Sequence, residues 1–332
     1  MQHLHQDGDA ACHPPDVRRD GCDATGAWQR CPQGNGHRWQ GNRACGWKAA
    51  TASQLTRAFE SLQARGLPRE IVFWGDSTFR QLYLDALYLA TAGSTGASSS
   101  SFDDPSCDAK QIRNVELPIG TEITKLRPIV SGESAELLDP LGATSRAHED
   151  GCQIRILRQH RQPTGSQLKF YFSGRLYCNG AEHKRSFFSL LSEQGRCPGA
   201  IIAGHNLWDC RWVRLAHKQW PNYSYEADIR NATAEVARLC PRTLRIWRSS
   251  AALQTHHHPT YRKLPPCLEA NECTTVRQGL VDASWLRLNA WAITSPLGGN
   301  VSLLKGSRDV RHMAPAAVRA VLSEFLGMIL TS

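Results

Sequence analysis

The stretch Glu70–Tyr83, with the sequence EIVFWGDSTFRQLY, constrains the fold more than any other part of the chain. Its four consecutive apolar residues, Ile71–Trp74, are typical of a short strand that is buried on both faces. Gly75-Asp76-Ser77 interrupts this strand, and Thr78–Ala92 then has the apolar spacing of a helix. The pattern predicts a strand-to-helix corner with Ser77 at the start of the helix.

A hydroxyl at such a corner lies beside the first N–H groups of the helix, which have no partner inside the helix. Since an oxyanion is stabilised in that position, Ser77 is a candidate nucleophile. The alternative is that Asp76 or Ser77 only caps the helix, because both residue types accept hydrogen bonds from the first turn. The corner alone therefore leaves two interpretations open.

A second polar motif, Ser307–Pro315, contains Asp309 and His312 three residues apart. This spacing allows a carboxylate to orient the imidazole and to leave the other ring nitrogen free to accept a proton. An Asp-x-x-His motif is a weak signal by itself. Together with Ser77, however, it supplies a nucleophile, a base and an orienting group, and the combination predicts a catalytic triad.

Strand and helix patterns alternate along the rest of the chain. Strands are predicted at 153–158, 168–177, 200–203 and 243–247, and helices at 49–64, 227–239, 276–294 and 314–330. Such alternation predicts an α/β fold in which helices cover both faces of a sheet. The last helix is expected to pack on the sheet and to hold the loop of Asp309 and His312 against the Ser77 corner.

The 332 residues are expected to divide into a Cys- and Trp-rich N-terminal segment, 1–66, and a catalytic domain, 67–332. The segment from Cys22 to Trp47 combines cysteines and tryptophans with little apolar periodicity. This composition is typical of a small module stapled by disulfides. Its tryptophans would either stack on sugar rings or fill a core that is too small for aliphatic side chains.

The cysteines indicate the cellular compartment. Twelve cysteines are spread along the chain without any Cys-x-x-Cys pair, which argues against zinc-ribbon or thioredoxin-type chemistry and favours disulfides in an oxidising compartment. Three Asn-x-Ser/Thr triplets, at Asn222, Asn231 and Asn300, are candidate glycosylation sites that fit the same compartment. We therefore expect a secretory-pathway protein, in the Golgi lumen or outside the cell.

No signal peptide or long apolar run is visible in the sequence, so the chain is expected to be the lumenal part of a longer protein or to lack its N-terminal part. The net charge of +9 and the pI near 9.1 are compatible with an acidic glycan, an anionic membrane, nucleic acid or no partner at all. Because the Lys and Arg residues are scattered and no nucleic-acid-binding module is present, nucleic acid is not an expected partner.

Gly75-Asp76-Ser77 after the first buried strand, together with Asp309-Val-Arg-His312, resembles the PC-esterase family. This family includes the trichome-birefringence-like polysaccharide O-acetyltransferases and the lumenal domain of sialate O-acetyltransferase. The resemblance implies an SGNH/GDSL-like three-layer α/β/α sandwich, with Ser77 as the nucleophile, His312 as the base and Asp309 as the orienting group. In layout it covers roughly residues 20 to 330, but only the two motifs are specific.

Other residues are candidates for the oxyanion hole or the substrate site. Gly204-His-Asn-Leu-Trp-Asp209 stands where SGNH enzymes have a Gly-x-Asn-Asp block, and it follows a predicted strand. In that position Asn206 would stabilise an oxyanion or bond its own turn, and Trp208 would line a pocket or belong to the core. Arg80 would contact the substrate near Ser77, as the resemblance implies, or pair with Asp85 or a loop carbonyl.

No motif for a bound metal or nucleotide cofactor is evident. The tract His256–His258 cannot direct three adjacent imidazoles at one ion, and the chain has no Walker lysine and no Gly-x-Gly-x-x-Gly. The resemblance implies an acetyl donor, acetyl-CoA or another acetylated carrier, as a co-substrate, and it leaves room for a membrane-anchored partner that supplies the acetyl group.

The sequence thus predicts a glycan O-acetyltransferase that works through an acyl-serine and passes the acetyl group to a sugar hydroxyl. A carbohydrate acetylesterase with the same triad is an alternative, because water exclusion and the acceptor site distinguish the two activities. A non-catalytic glycan-binding lumenal domain is the second alternative. The acceptor, the disulfide pairing and the oligomeric state stay open.

Overall fold

A computed structural model describes residues 28–30, 37–39, 50–94, 133–137, 156–177, 187–205, 207, 209–210, 223–252, 264–295, 313 and 315–332. Its strands and helices, in chain order, are β1 (Trp28–Arg30), β2 (His37–Trp39), α1 (Ala52–Ala64), β3 (Glu70–Gly75), α2 (Ser77–Ser94), β4 (Glu133–Leu137), β5 (Ile156–Arg161), β6 (Gln167–Phe172), α3 (Phe187–Gln194), β7 (Ala200–Ala203), α4 (Tyr225–Leu239), β8 (Leu244–Arg248), α5 (Leu264–Arg277), β9 (Leu286–Leu288), α6 (Ala290–Thr294) and α7 (Pro315–Thr331). The predicted α/β class is confirmed.

A mixed seven-stranded sheet, in the order β4-β5-β6-β3-β7-β8-β9, forms the centre of this fold. Strands β6, β3, β7, β8 and β9 run parallel, whereas β5 is antiparallel to both of its neighbours. Strand β3 lies between two later strands, β6 and β7. Open α/β sheets bind their ligands where the strand order reverses in this way, at the carboxyl ends of the strands.

Every residue of β3 is buried, as its continuous apolar run predicts. Alternate side chains enter two separate cores. Ile71 and Phe73 pack with α1, α2 and α7 on one face, whereas Val72 and Trp74 pack with α3 and α4 on the other. Helices therefore cover both faces of the sheet, as expected from the alternation of strands and helices in the sequence.

The last described helix, α7, is anchored to the first part of the chain. The Arg319 guanidinium binds both carboxylate oxygens of Asp85 in α2 at 2.6 Å. Ser323 Oγ also accepts a hydrogen bond from the Ala50 N–H at 2.7 Å. These buried contacts hold α7 against α1 and α2, and α7 packs on the sheet, as expected.

Most of the predicted elements are present with shifted ends. The predicted strand 153–158 is observed as β5, Ile156–Arg161, and the predicted strand 168–177 is the shorter β6, Gln167–Phe172. The predicted helix 314–330 is α7, Pro315–Thr331. Strands β1, β2, β4 and β9 and helices α3 and α5 are not among the predicted elements.

The prediction of one helix over 276–294 is wrong. Helix α5 ends at Arg277, and Gly279 has a φ of 55°, a left-handed conformation that ends helices at little cost for glycine. An Asp282–Ser284 turn follows, in which the Asp282 carboxylate accepts the Ser284 N–H at 2.9 Å. The chain then forms β9, which pairs with β8, and the short helix α6.

Disulfides join Cys197 to Cys240 and Cys210 to Cys267, and Cys273 is also disulfide-bonded. The prediction that cysteines of this chain form disulfides is confirmed for these five residues, which fits an oxidising compartment. Within the described part of the chain, no helix has both the length and the apolar character that crossing a membrane requires. The division into residues 1–66 and 67–332 stays a prediction.

Candidate functional site

The corner between β3 and α2 forms as the sequence predicts. Asp76 caps the helix, because its Oδ1 accepts hydrogen bonds from the Thr78 N–H at 2.8 Å and from the Thr78 hydroxyl at 2.7 Å. Ser77 is the first residue of α2 and is half-buried. The capping alternative thus holds for the Asp76 side chain, and Ser77 lies in the first turn that this carboxylate stabilises.

Glycines allow this corner to pack tightly. A Cβ at Gly75 would lie 2.5 Å from Phe79 Cδ2 and 2.8 Å from the Gly204 carbonyl oxygen. A Cβ at Gly204 would lie 2.5 Å from the Arg248 carbonyl oxygen and 2.7 Å from Phe79 Cζ. The ring of Phe79 therefore fills the space between the ends of β3, β7 and β8, and no larger residue fits at either glycine without displacing the backbone.

Arg248, at the carboxyl end of β8, supports the same corner from the other side. Its Nη2 donates to the Thr78 hydroxyl oxygen at 2.6 Å, and its guanidinium lies 4.0 Å above the centre of the Phe79 ring. Burial lowers the pKa of Arg248 to about 10, and the nearby carboxylates of Asp76 and Glu272 oppose that shift. The guanidinium remains a cation at neutral pH.

His205, which follows β7, is held by a second buried network. Its Nε2 lies 2.9 Å from the Tyr223 hydroxyl and 3.9 Å from the Asp228 carboxylate. That carboxylate accepts the N–H groups of Leu176 and Tyr177, each at 2.9 Å. Burial raises the pKa of Asp228, and His205 is the largest influence that counteracts it. These contacts fix the orientation of the imidazole.

A small cavity of about 20 Å³ lies among these groups, at the carboxyl ends of β3, β7 and β8. Both polar and apolar side chains line it: Asp76, Thr78, Phe79, His205, Leu207, Arg248, Ser250, Ala251, Leu268 and Met313. A cavity with a few convergent polar groups and an apolar wall, next to the position where the strand order reverses, is the usual setting of a ligand site in an α/β fold.

Met313 connects the end of the sequence to the Ser77 helix. The Gln81 side chain donates from Nε2 to the Met313 carbonyl at 3.0 Å and accepts the Met313 N–H at 3.0 Å. Gln81 is one helical turn beyond Ser77, and side chains at that spacing lie about 5–6 Å apart. The residue that immediately follows the Asp-x-x-His motif is therefore fixed beside the first turns of α2.

The predicted site residues fall into two groups. Gly75, Asp76, Ser77, Arg80 and Gly204 are described. The contacts of Gly75, Asp76 and Gly204 are those given above, and Ser77 is the half-buried first residue of α2. Arg80 is buried in the first turn of α2, while Arg319 occupies the Asp85 carboxylate that was the alternative partner of Arg80. The second group lies outside the described residues: Asn206, Trp208, Asp309, His312, the tract 256–258, Asn222 and Asn300. Asn231 lies half-buried in α4, and its glycosylation stays a prediction.

Three groups that could ligate a metal also meet near the cavity. Asp209, Cys210 and Cys267 place one ligand atom each within 4.8 Å of one another. Both sulfurs belong to the Cys210–Cys267 disulfide, and the Asp209 carboxylate accepts a hydrogen bond from the Asn271 amide at 2.7 Å. Because a disulfide sulfur is not a thiolate, this cluster does not provide the thiolate ligands that zinc prefers.

Sequence reasoning missed Arg248, His205 and Gln81 as site residues. Arg248 and His205 carry a usable signal, because each comes within two residues of the end of a buried parallel strand and thus lies at the ligand edge of the sheet. For Gln81 the only sequence signal is its spacing from Ser77. That spacing does not reveal the partner of Gln81, Met313, which is 232 residues away.

Comparison of the chain with protein-family models and with curated proteins finds no match in either set.

Proposed function

We propose that this protein is a glycan O-acetyltransferase of PC-esterase type, with Ser77 as the nucleophile. The Ser77 hydroxyl attacks the carbonyl carbon of an acetyl donor while His312 accepts its proton. The leaving group departs with a proton from His312, and an acyl-serine remains. His312 then accepts the proton of a sugar hydroxyl as that oxygen attacks the acyl carbon. It returns the proton to the Ser77 oxygen when the bond between Ser77 and the acyl group breaks.

The observation that carries this proposal is the pair of hydrogen bonds between the Gln81 side chain and the Met313 backbone. Met313 is the covalent neighbour of His312, and Gln81 is one turn from Ser77. Two stretches that are more than 200 residues apart in sequence are thus attached at one point. A Ser-His-Asp site assembled from these stretches requires them to lie close together, and this attachment supports that requirement.

The local structure at Ser77 supports the same role. Ser77 begins an 18-residue helix at the carboxyl edge of the sheet, so backbone N–H groups of the first turn and the positive end of the helix are close to its hydroxyl. Asp76 directs its carboxylate at Thr78 rather than at Ser77 in the described hydrogen bonds. In the proposed mechanism Asp309 orients His312, and Asn206 adds an oxyanion donor.

The acetylesterase alternative uses the same steps with water as the acceptor. The two activities differ in how water is excluded and in what binds the sugar, and neither property follows from the triad itself. The disulfides favour the Golgi lumen or the extracellular space as the setting for either reaction. The glycan-binding alternative would leave Ser77 unmodified by any donor.

A donor-labelling experiment tests the proposal. The purified chain is incubated with acetyl-CoA or a chromogenic acetyl ester, with and without a polysaccharide, and the peptide that contains Ser77 is weighed. We expect an added acetyl mass on Ser77 that the polysaccharide discharges. Rapid discharge by water would favour the esterase, and the absence of label with every donor would contradict both enzymatic functions. Ser77→Ala is the control that removes the labelled atom.

A further inference from the structure

Arg248 offers hydrogen-bond donors that the described protein does not use. Only 6% of the residue is exposed, and Nη2 binds the Thr78 hydroxyl. Nε and Nη1 are buried and have no hydrogen-bond partner among the described residues. Buried donors almost always have a partner in native proteins, because a buried donor without a hydrogen bond destabilises the fold. The cost in free energy is larger for a charged donor than for a neutral one. A ligand with an oxygen acceptor would satisfy such a group.

The cavity beside Arg248 limits the size of that ligand. Its volume of about 20 Å³ is larger than the roughly 10–15 Å³ that one water molecule needs, and it is too small for a sugar ring. Leu207 and Leu268 are among the apolar residues of its lining, and Ala251 has the smallest side chain in the lining. The shape therefore suits a group of a few heavy atoms with one apolar end and one polar end.

The charges around Arg248 limit the chemistry of the ligand. Asp76 lines the same cavity, and the carboxylates of Asp76 and Glu272 both act on the guanidinium. Glu272 also accepts the Ser250 N–H at 2.7 Å. Because two carboxylates already compensate this cation, a multiply charged anion such as a phosphate would be repelled. A carbonyl oxygen or a single carboxylate is the better acceptor.

We propose that this cavity is the acyl-binding pocket and takes a group of two or three carbons. The oxygen of the group accepts a hydrogen bond from Arg248, and its carbon chain contacts Leu207 and Leu268. This inference rests on the proposed function, since it gives the transferred acyl group a place beside the Ser77 helix. It adds that Arg248 recognises the acyl oxygen and that Ala251 and the leucines limit the chain length.

Acetate is the probe for the test, and the full chain with Ser77→Ala is the receptor, so that no turnover takes place. Binding is measured by titration with [13C]acetate in an NMR experiment. We expect saturable binding that Arg248→Gln weakens about tenfold or more, which is the effect of losing one hydrogen bond to a charged donor. Propionate should also bind, and glucuronate, which presents the same carboxylate on a sugar ring, should not.

Two further variants keep the test decisive. Arg245→Gln is the matched control, because Arg245 lies on the same strand and binds the carbonyls of Ala237 and Cys240 rather than the cavity. It should leave acetate binding unchanged. Ala251→Leu adds volume to the lining of the cavity and keeps Arg248, so it should abolish acetate binding even if the Arg248 variant does not fold. Circular dichroism establishes that each variant is folded.

Acetate binding that is equal in the parent chain and in Ala251→Leu would overturn the proposal, and so would the absence of saturable acetate binding. Glucuronate binding that depends on Arg248 would show instead that the cavity belongs to a site for acidic sugars. The outcome is independent of catalysis. If acetate binds through Arg248 and Ser77 takes no acetyl label from any donor, the proposed function fails while the small-acyl pocket stands.

Discussion

Arg158 and Arg248 are both buried in this protein, and their surroundings differ. Arg158 lies in β5, in the antiparallel part of the sheet, and its Nη1 pairs with Glu133 Oε1 at 3.0 Å. The same carboxylate oxygen accepts the Tyr83 hydroxyl at 3.1 Å. Arg248 lies at the carboxyl end of β8, binds the Thr78 hydroxyl and borders a cavity. In the described residues it makes no ion pair.

This difference separates two uses of a buried cation. At Arg158 a carboxylate from the neighbouring strand compensates the charge. This ion pair joins β4 to β5, and its charge is compensated without a ligand. At Arg248 the compensating carboxylates act from a greater distance, and two N–H groups remain for another acceptor. We infer that changes near Arg158 affect mainly the free energy of unfolding, whereas changes near Arg248 and Ser77 affect mainly activity.

The largest effect on activity is expected for Ser77→Ala, in the region around Arg248 and Ser77. The variant should lose at least about 10³-fold in turnover, because the nucleophile is removed. Its free energy of unfolding should change little, since the capping of α2 belongs to Asp76. Turnover of an acetyl ester and denaturant unfolding are measured on the same samples. Near-normal turnover in the folded variant would contradict the assignment of Ser77.

Glu133→Ala should have the opposite profile. It leaves the Arg158 cation buried without its partner, which costs about 3–5 kcal/mol in free energy of unfolding. Urea unfolding gives this value, and the activity per folded molecule should stay near that of the parent. The double variant Glu133→Leu with Arg158→Met removes both charges, and it should recover most of the lost stability. A single variant as stable as the parent would show that Glu133 does not compensate Arg158.

Gln81→Met tests the attachment of the C-terminal segment. Methionine has a similar size but makes neither of the two hydrogen bonds to the Met313 backbone. We expect a loss of about 10²-fold in turnover, because a displacement of about 1 Å in a catalytic group has an effect of that size. Gln81→Glu retains the acceptor for the Met313 N–H but places a carboxylate oxygen against the Met313 carbonyl, so it should also lower turnover. Steady-state kinetics that leave both variants unchanged would remove the main support for the proposed site.

The smallest effect, a modest loss of stability, is expected for Tyr83→Phe, in the region around Arg158. The variant loses one hydrogen bond to a carboxylate and should be destabilised by about 1–2 kcal/mol at neutral pH. Burial, and then Glu133, raise the pKa of Tyr83 above its usual value of about 10. The unfolded chain ionises this phenol above pH 10 while the folded chain keeps it protonated, so the parent should lose stability as the pH rises. Unfolding measured from pH 8 to about 11 should show a shallower decline for the variant.

The central part of the fold was predictable from local patterns. A continuous apolar run gave β3, and the Gly75-Asp76-Ser77 break gave the corner, because a buried parallel strand and a helix start both have short sequence signals. The prediction of a helix over 276–294 failed because part of this segment, Leu286–Leu288, is a strand of only three residues. This strand pairs with β8, and such a tertiary contact overrides local periodicity.

The candidate site was predictable only in part, for a similar reason. Ser77 could be selected because its position depends on the adjacent strand and helix. The role of Arg248 depends on a hydroxyl 170 residues away in sequence, and that of Gln81 depends on a backbone 232 residues away. No local pattern encodes such partners. A charged residue at the carboxyl end of a buried parallel strand is nevertheless a signal that sequence analysis can use.

The contact of α7 with α1 and α2 has a consequence for biosynthesis. The apolar faces of α1 and α2 emerge from the ribosome long before the residues that cover them, since Arg319 and Asp85 are 234 residues apart. Until α7 is translated, that surface must be shielded by a chaperone or remain in a loosely collapsed state. Nascent chains interrupted before Met313 would thus expose apolar surface of α1 and α2 and lack one of the residues that line the cavity, so this part of the fold is completed only late in translation.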